Sequence, residues 1–249
     1  MLTRAIAKQI QQLKQKKHRD QQGQFCAEGL KSVQEGLQSG LKLVHCLVTE
    51  DRLVESLHED WGISAMRIDL ADMKKLSHLS TPSAVLGLFE KPKSRPLPSN
   101  EWIVALDDIQ DPGNLGTLMR TLDWFGFKHL LCSAHTVDCY SAKVVQSSMG
   151  SYARMNCVYD DLPKTLQQLE MPIVGADLKG ISLEQFDPAP KGVLVLGNEG
   201  HGISDAVASL LTQRITIPSA KGSAVESLNA AISGAVIAYT ISNRLGFLR

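Results

Sequence analysis

The chain has 249 residues, 43% of them hydrophobic, and its 26 Lys and Arg balance 26 Asp and Glu, giving a formal net charge of zero. This composition indicates a globular protein of one large or two ordinary domains. No apolar run approaches the roughly 20 residues that span a bilayer, and no signal-peptide apolar region occurs in the first 24 residues, which excludes a membrane protein and predicts a cytoplasmic location. The five cysteines lack paired short spacings, so neither a disulfide framework nor a metal site is predicted.

Positive charge is concentrated in the N-terminal part of the chain. Residues 1–98 contain 15 Lys and Arg against 11 Asp and Glu, and the remaining residues reverse these numbers. Apolar residues at helical spacing predict a short surface helix over residues 3–17. A basic cluster closes this segment, and it is either a solvated helix end or a surface that contacts phosphate. Its members are Lys14, Lys16, Lys17, His18 and Arg19.

The residues that follow predict a small α/β domain. Residues 25–41 alternate apolar and polar side chains at helical spacing. Three short apolar runs predict strands, over residues 43–49, 66–69 and 84–89, with helices between them. Residues 91–99 contain three prolines and little that is apolar, which predicts an extended linker. The resulting division assigns residues 1–90 to a first domain, 91–99 to the linker and 100–249 to a second domain.

In the second domain, short apolar strands alternate with helices. Strands are predicted over Trp102–Leu106, His129–Cys132, Ile173–Ala176, Val193–Leu196 and Arg214–Ile217. Helices are predicted over Gly116–Phe125, Ser141–Ser148, Leu162–Leu169 and Asp205–Leu211, with a last, small-residue-rich helix from about Ser227. This alternation predicts an α/β fold with a mostly parallel sheet and helices on both faces.

The first of three polar turns follows strand 102–106. Asp111–Gly116 breaks the strand, and the unpaired N–H groups of the helix after it suit an anion. Asn114 could cap that helix or bind a ligand. Arg120 lies further along the same apolar helix and would need a carboxylate or phosphate partner if buried.

The second and third turns have the same character. Glycines in residues 197–202 allow a ligand to approach the backbone. Glu199 among them could assist a helix cap, accept a hydrogen bond from a hydroxyl or pair with Arg120, whereas His201 is assigned to the loop. The third turn offers two polar candidates that also suit a helix N-terminus, Ser227 and Asn229. Because turns at strand ends bind ligands in open α/β sheets, the three turns predict one composite site.

Together, the three turns closely resemble the signature motifs of the SpoU (TrmH) family of RNA ribose 2′-O-methyltransferases. The matching residues, in the family's order within residues 102–241, are Asn114 and Arg120, then Gly197-Asn198-Glu199-Gly200, then Ile217-Pro218 and Ser227-Leu228-Asn229. Residues 25–29 and 33–35 similarly resemble the family's small RNA-binding domain, which has a ribosomal-protein-like α/β fold. The chain departs from the third motif at Ser219, where family members often have methionine.

The resemblance implies a trefoil knot whose backbone binds S-adenosylmethionine, a homodimer, and an RNA substrate. It implies a catalytic set of Arg120, Asn114, Glu199, Ser227 and Asn229. It implies cofactor contacts at Leu196, Gly197, Asn198, Gly200, Ile217, Pro218, Ser227 and Leu228. The phosphate-contacting candidates of the basic cluster then become RNA contacts, at Lys14, Lys16, Lys17 and Arg19, and no metal is implied.

Ribosomal RNA is preferred as the substrate because a separate substrate domain precedes the catalytic one. A transfer-RNA ribose methyltransferase and a catalytically silent RNA-binding assembly factor remain alternatives, the second disfavoured by the intact polar set. A small-molecule nucleotide enzyme is disfavoured because the P-loop and three-glycine dinucleotide motifs are absent from the sequence.

Overall fold

A computed structural model describes residues 2–248 as two compact units, each with its own sheet. The first unit runs to Lys93 and also includes Asp138–Ala153. The second comprises Ser94–Val137 and the described residues from Arg154 onward. The chain therefore passes between the units three times, and Asp138–Ala153 groups with the first unit although it lies within the stretch 100–249 that the sequence assigned to the second domain.

The elements alternate along the chain. The strands are β1 (Gln24–Glu28), β2 (Leu43–Val48), β3 (Met66–Arg67), β4 (Val85–Glu90), β5 (Trp102–Leu106), β6 (His129–Cys132), β7 (Asn156–Tyr159), β8 (Ile173–Ser182), β9 (Gly192–Leu196) and β10 (Gln213–Thr216). The α-helices are α1 (Arg4–Gln12), α2 (Lys16–Gln22), α3 (Leu30–Gln38), α4 (Asp51–Trp61), α5 (Leu70–Leu76), α6 (Pro112–Trp124), α7 (Ala142–Ser147), α8 (Leu162–Gln168), α9 (Asp205–Ala208) and α10 (Ala230–Arg244), and a 3-10 turn covers Ser151–Ala153. Within residues 2–248, no helix combines the length and the apolar character needed to cross a membrane.

The sheet of the first unit has the order β1-β4-β2-β3, with only the β2–β3 pair parallel. The helical prediction for residues 25–41 is wrong at its start, because β1 pairs antiparallel with β4 and helix α3 begins only at Leu30. Successive β1 side chains point to opposite faces: Phe25 stacks on Phe89, whereas Cys26 joins the core beneath α1 and α5. Gly29 has a φ of +99°, a conformation that favours glycine, and it separates strand from helix.

The inserted segment Asp138–Ala153 is fastened to the first unit by aromatic packing and by a buried ion pair. The Phe25 ring lies 4.7 Å from the Tyr140 ring and 5.5 Å from the Tyr152 ring, centroid to centroid. Arg19 is only 5% exposed; its Nε donates a 2.7 Å hydrogen bond to Asp138 Oδ2, and its Nη2 lies 2.7 Å from the same oxygen in an ion pair. Arg19 is therefore a structural residue, and its predicted role as an RNA contact is wrong, because its guanidinium is engaged inside the protein.

The buried neighbourhood of His78 makes the first unit sensitive to acid. His78 Nε2 lies 2.8 Å from the carbonyl oxygen of Ile10, and burial lowers the pKa of His78 to about 4. The unfolded chain, with a histidine pKa near 6.5, takes up this proton first, so the free energy of unfolding should fall by up to about 3 kcal/mol as pH drops from about 6.5 to about 4. Urea titrations across this range should show a shallower fall for His78→Gln, and identical curves would contradict the assignment.

The sheet of the second unit has the order β10-β8-β9-β5-β6-β7, and its neighbouring strands are parallel. One face packs against α8 and α9, where Ile103 and Ala105 meet Leu166 and Val207. The other face is covered by α6 and α10, and a side chain at Gly234 would come within 2.5 Å of Leu118 and 2.9 Å of Leu196. The parallel α/β sheet predicted from the sequence is confirmed, although β7 was not predicted and β8 extends six residues beyond its predicted end.

Candidate active site

The first turn leads from β5 into α6. The helix begins at Pro112, earlier than the predicted Gly116, because Asp111 caps it by accepting a 2.8 Å hydrogen bond from the N–H of Asn114. Asn114 is therefore not the cap, and its side chain is available for other contacts. Proline at the first helical position stabilises this early start, since it has no N–H to leave unpaired.

A chain of side-chain hydrogen bonds connects all three turns. Asn114 donates from Nδ2 to Glu199 Oε1 over 2.9 Å, and its Oδ1 accepts a 2.9 Å bond from Asn229 Nδ2. Asn229 also caps α10 through its Oδ1, which accepts from the N–H groups of Ala231 and Ile232. The composite site expected from the sequence is thus formed around Asn114, with one polar residue from each turn.

Glu199 accepts hydrogen bonds from the first turn rather than from Arg120. Besides the Asn114 amide, the N–H groups of Gln110 and Asp111 lie 3.4 Å from its carboxylate oxygens. The pairing of Glu199 with Arg120 considered from the sequence is wrong. Arg120 is exposed on α6, and its side chain makes no hydrogen bond or ion pair within residues 2–248. Its guanidinium is consequently free to bind an external anion.

The second turn is closed tightly on itself. Asn198 and Gly202 exchange two backbone hydrogen bonds of 2.9 Å, and Asn198 Oδ1 accepts from the N–H groups of Gly200 and His201. Asn198 Nδ2 donates to the carbonyl oxygen of Asp108 over 2.7 Å. A Cβ atom at Gly197 would lie 2.2 Å from the Gly202 carbonyl carbon, so only glycine fits there.

Substituting Gly197→Ala should lower the Tm by about 3–10 °C, because relieving a backbone clash costs about 1–3 kcal/mol. Gly200→Ala is the matched control, since a Cβ at Gly200 would meet nothing closer than Asn198 Oδ1 at 3.5 Å. Thermal unfolding followed by circular dichroism tests both variants. Equal Tm values for the two would show that the turn is not tightly closed.

Two carboxylates after β5 hold the turns in place and were missed in the sequence analysis. Asp107 is 6% exposed and accepts a 2.7 Å hydrogen bond from the N–H of Ser204. Asp108 has a φ of +60°, and its N–H and carboxylate both bond to the Ser133 hydroxyl. The signal in the sequence was the pair of acidic residues directly after an apolar strand.

The third turn has an open backbone and apolar side chains. Ile217 is half-buried and Leu228 is 49% exposed, whereas Leu196, at the end of β9 before the second turn, is buried. Within residues 217–228, few backbone groups are paired with each other: the Ser223 N–H donates a hydrogen bond to the Ala220 carbonyl oxygen. Exposed apolar side chains beside unpaired backbone groups suit a planar, neutral heterocycle such as adenine.

The cofactor and catalytic candidates differ in how well the structure brings them together. Asn114, Glu199 and Asn229 are joined by hydrogen bonds, and Gly197, Asn198 and Gly200 lie in the adjoining turn. Pro218 and Ser227 are exposed in the third turn, and no hydrogen bond joins the Ser227 side chain to Asn114, Glu199 or Asn229. Within residues 2–248, no group of three His, Cys, Asp or Glu residues is arranged to hold a metal ion.

Comparison with known proteins agrees with this geometry. The chain matches the SpoU rRNA Methylase family over residues 101–239 and the MRM3-like substrate binding domain over residues 5–87. The 23S rRNA (guanosine(2553)-2′-O)-methyltransferase RlmP of Bacillus subtilis is 28% identical, over 93% of this chain and 94% of RlmP.

Solved structures extend the similarity to the whole described chain. The AdoMet-bound rRNA methyltransferase from Sinorhizobium meliloti has a TM-score of 0.83 and 29% identity, covering 98% of this chain and 97% of that one. A TrmH-family protein from Porphyromonas gingivalis has a TM-score of 0.87 and 34% identity, covering 98% and 99%. The match to the SpoU rRNA Methylase family, over residues 101–239, covers more than half of the chain and includes all three turns. This protein therefore belongs to the SpoU rRNA methylase family.

Proposed function

We propose that the protein methylates a ribose 2′-hydroxyl of ribosomal RNA, using S-adenosylmethionine. The observation that carries this proposal is the Glu199–Asn114–Asn229 chain of hydrogen bonds, which joins the three motif turns into one site. The similarity to RlmP over nearly its full length supports ribosomal RNA as the substrate class. The substrate-domain match over residues 5–87 supports the same choice.

The residues of the second and third turns fit the cofactor. Ile217 and Leu228 offer apolar surface, whereas Leu196 is buried at the end of β9, and the sparsely paired backbone of residues 217–228 offers donors and acceptors to an adenine ring. In the second turn, Gly200 has no atom closer to its missing side chain than Asn198 Oδ1 at 3.5 Å, and this permits close approach of a ligand to the backbone. When bound, S-adenosylmethionine supplies a methyl group on a positively charged sulfur.

Arg120 is the residue to which we assign the chemistry at the RNA. Its unpaired guanidinium can bind the phosphate next to the target ribose and stabilise the alkoxide that develops on the 2′-oxygen. A guanidinium holds its protons too tightly to act as a base, so the hydroxyl proton passes to the neighbouring phosphate or to water. Asn114 and Glu199 fix the start of α6 and thereby the position of Arg120.

Orientation is the second contribution of the site. Transfer of a methyl group from sulfur to oxygen requires an in-line arrangement, and holding two reactants in this way can supply about 7 kcal/mol or more of the barrier. We assign Ser227 and Asn229 to the pocket that holds the ribose and the cofactor together. The cap that Asn229 forms on α10 makes its position rigid.

A labelled methyl-transfer assay on ribosomal and transfer RNA tests the proposed function. The expected result is label in ribosomal RNA, recovered after digestion as a 2′-O-methylnucleoside. Label in transfer RNA alone would favour the transfer-RNA alternative. No label in either RNA, with RNA binding intact, would favour the silent assembly factor.

The homodimer is also a proposal, supported by an exposed apolar face of α10. Ile232, Val236 and Tyr239 recur at helical spacing and are 50%, 37% and 49% exposed, which is unusual for a helix that buries its other face. Light scattering should give twice the monomer mass, and Tyr239→Asp should reduce it, whereas a monomeric wild-type protein would contradict the proposal. The trefoil knot and the cytoplasmic location stay predictions.

A further inference from the structure

The first two helices carry an unbalanced positive charge. Residues 1–19 contain six Lys and Arg and no Asp or Glu. By contrast, residues 50–60, which include α4, contain five acidic residues and one arginine. The first unit therefore presents a basic region and an acidic region on different helices.

The structure divides the six cations into two kinds. Arg19 is buried against Asp138, and Lys16 pairs with Asp20 at 2.8 Å. The other four side chains are exposed and make no hydrogen bond or ion pair in the part of the chain that the structure describes. They are Arg4, Lys8, Lys14 and Lys17.

Buried Arg19 makes the turn between α1 and α2 rigid. Its Nη1 donates to the carbonyl oxygens of Leu13 and Lys14, at 2.8 and 2.9 Å. Helix α1 is also held to β1, because the Gln9 side chain donates a 2.7 Å hydrogen bond to the Gln24 side chain. The cations at positions 14 and 17 therefore project from a fixed backbone, which lowers the entropic cost of binding a partner.

The exposed side of α1 favours a polyanion over an apolar partner. Arg4 and Lys8 are one turn apart on that side, whereas Ile6 and Ile10 pack towards the core with Leu13. No large apolar side chain is exposed along residues 2–22. Over the roughly 13 Å of α1, nucleic acid presents several phosphates, each able to accept from Lys or Arg.

We infer that Arg4, Lys8, Lys14 and Lys17 form a surface that binds the phosphate backbone of the substrate RNA. This inference rests on the proposed function and specifies which face of the first unit receives the RNA. It retains the sequence prediction for Lys14 and Lys17, adds Arg4 and Lys8, and replaces Arg19, whose role is to hold the surface in shape.

The test compares two double variants with a matched control. Arg4→Gln/Lys8→Gln and Lys14→Gln/Lys17→Gln each remove two charges from the surface, and Lys128→Gln/Lys164→Gln removes two exposed charges from the second unit. Binding to a ribosomal RNA transcript is measured from 50 to 200 mM KCl. Each surface variant should bind about 10-fold more weakly and lose about 1.5–2 from the slope of log K against log salt, whereas the control should match the wild-type protein.

A wild-type slope in both surface variants would overturn the inference, as would an equal loss in the control. Binding of the wild-type protein to anionic phosphatidylserine vesicles, lost in the same variants while RNA binding is kept, would assign the surface to a membrane instead. Failure of the proposed function is distinguishable: the wild-type protein would then bind RNA with the steep slope but transfer no methyl group.

Discussion

Replacing Arg120 with alanine should reduce methyl transfer to RNA by at least about 100–1,000-fold, while the Kd for S-adenosylmethionine stays within a few-fold of wild type. The side chain is exposed and makes no hydrogen bond or ion pair within residues 2–248, so its loss leaves the hydrogen bonds between the three turns intact. The variant loses the positive charge of the guanidinium, which we propose binds the RNA phosphate and stabilises the developing alkoxide. Single-turnover methylation and calorimetric cofactor binding measure the two quantities separately.

Two further variants sharpen the Arg120 experiment. Arg120→Lys keeps the charge without the planar fork of donors and should be intermediate in rate. Arg52→Ala removes an exposed arginine that pairs with Glu50 on the first unit, and it should retain the wild-type rate. Unchanged turnover in Arg120→Ala would remove this residue from catalysis.

Replacing Asp138 with asparagine should lower the free energy of unfolding by about 3–5 kcal/mol, because it leaves the buried Arg19 charge without its counter-ion. The Arg19 and Asp138 side chains are 6% and 5% exposed, so water cannot compensate. Asp138 also accepts a 3.0 Å hydrogen bond from the N–H of Tyr140 and so fixes the start of the inserted segment. Urea unfolding followed by circular dichroism gives the free energy.

The double variant Arg19→Met/Asp138→Leu tests the physical cause of that loss. Removing both charges should be much less harmful than removing one, because no buried charge is left unpaired. Lys42→Gln is the control for an exposed pair, since Lys42 lies 2.6 Å from Glu90 at the surface and should change stability by less than about 1 kcal/mol. Equal losses in Asp138→Asn and Lys42→Gln would show that the Arg19–Asp138 pair is not buried in solution.

Most strands of the second unit were predictable because they are apolar runs closed by a turn, whereas β7 (Asn156–Tyr159), with a single buried residue, was not. Trp102–Leu106 and His129–Cys132 have the predicted bounds. The start of the first unit was less predictable, since Gln24–Glu28 is too short to separate strand from helix by spacing alone. Its partner β4 lies about 60 residues away in the chain, and this pairing determines its conformation.

The sequence by itself determined the parallel α/β architecture, the three polar turns and their order, because strand length, glycine position and helix spacing are local properties. Only the tertiary structure decided the partners: Glu199 bonds to Asn114 rather than to Arg120, and Arg19 turns inward to Asp138. It also decided that Asp138–Ala153 belongs to the first unit. The sequence does not distinguish a charged side chain that faces water from one that faces a buried counter-ion. Arg19 becomes a buried, ion-paired residue only because folding brings it to Asp138, 119 positions away, in a space from which water is excluded.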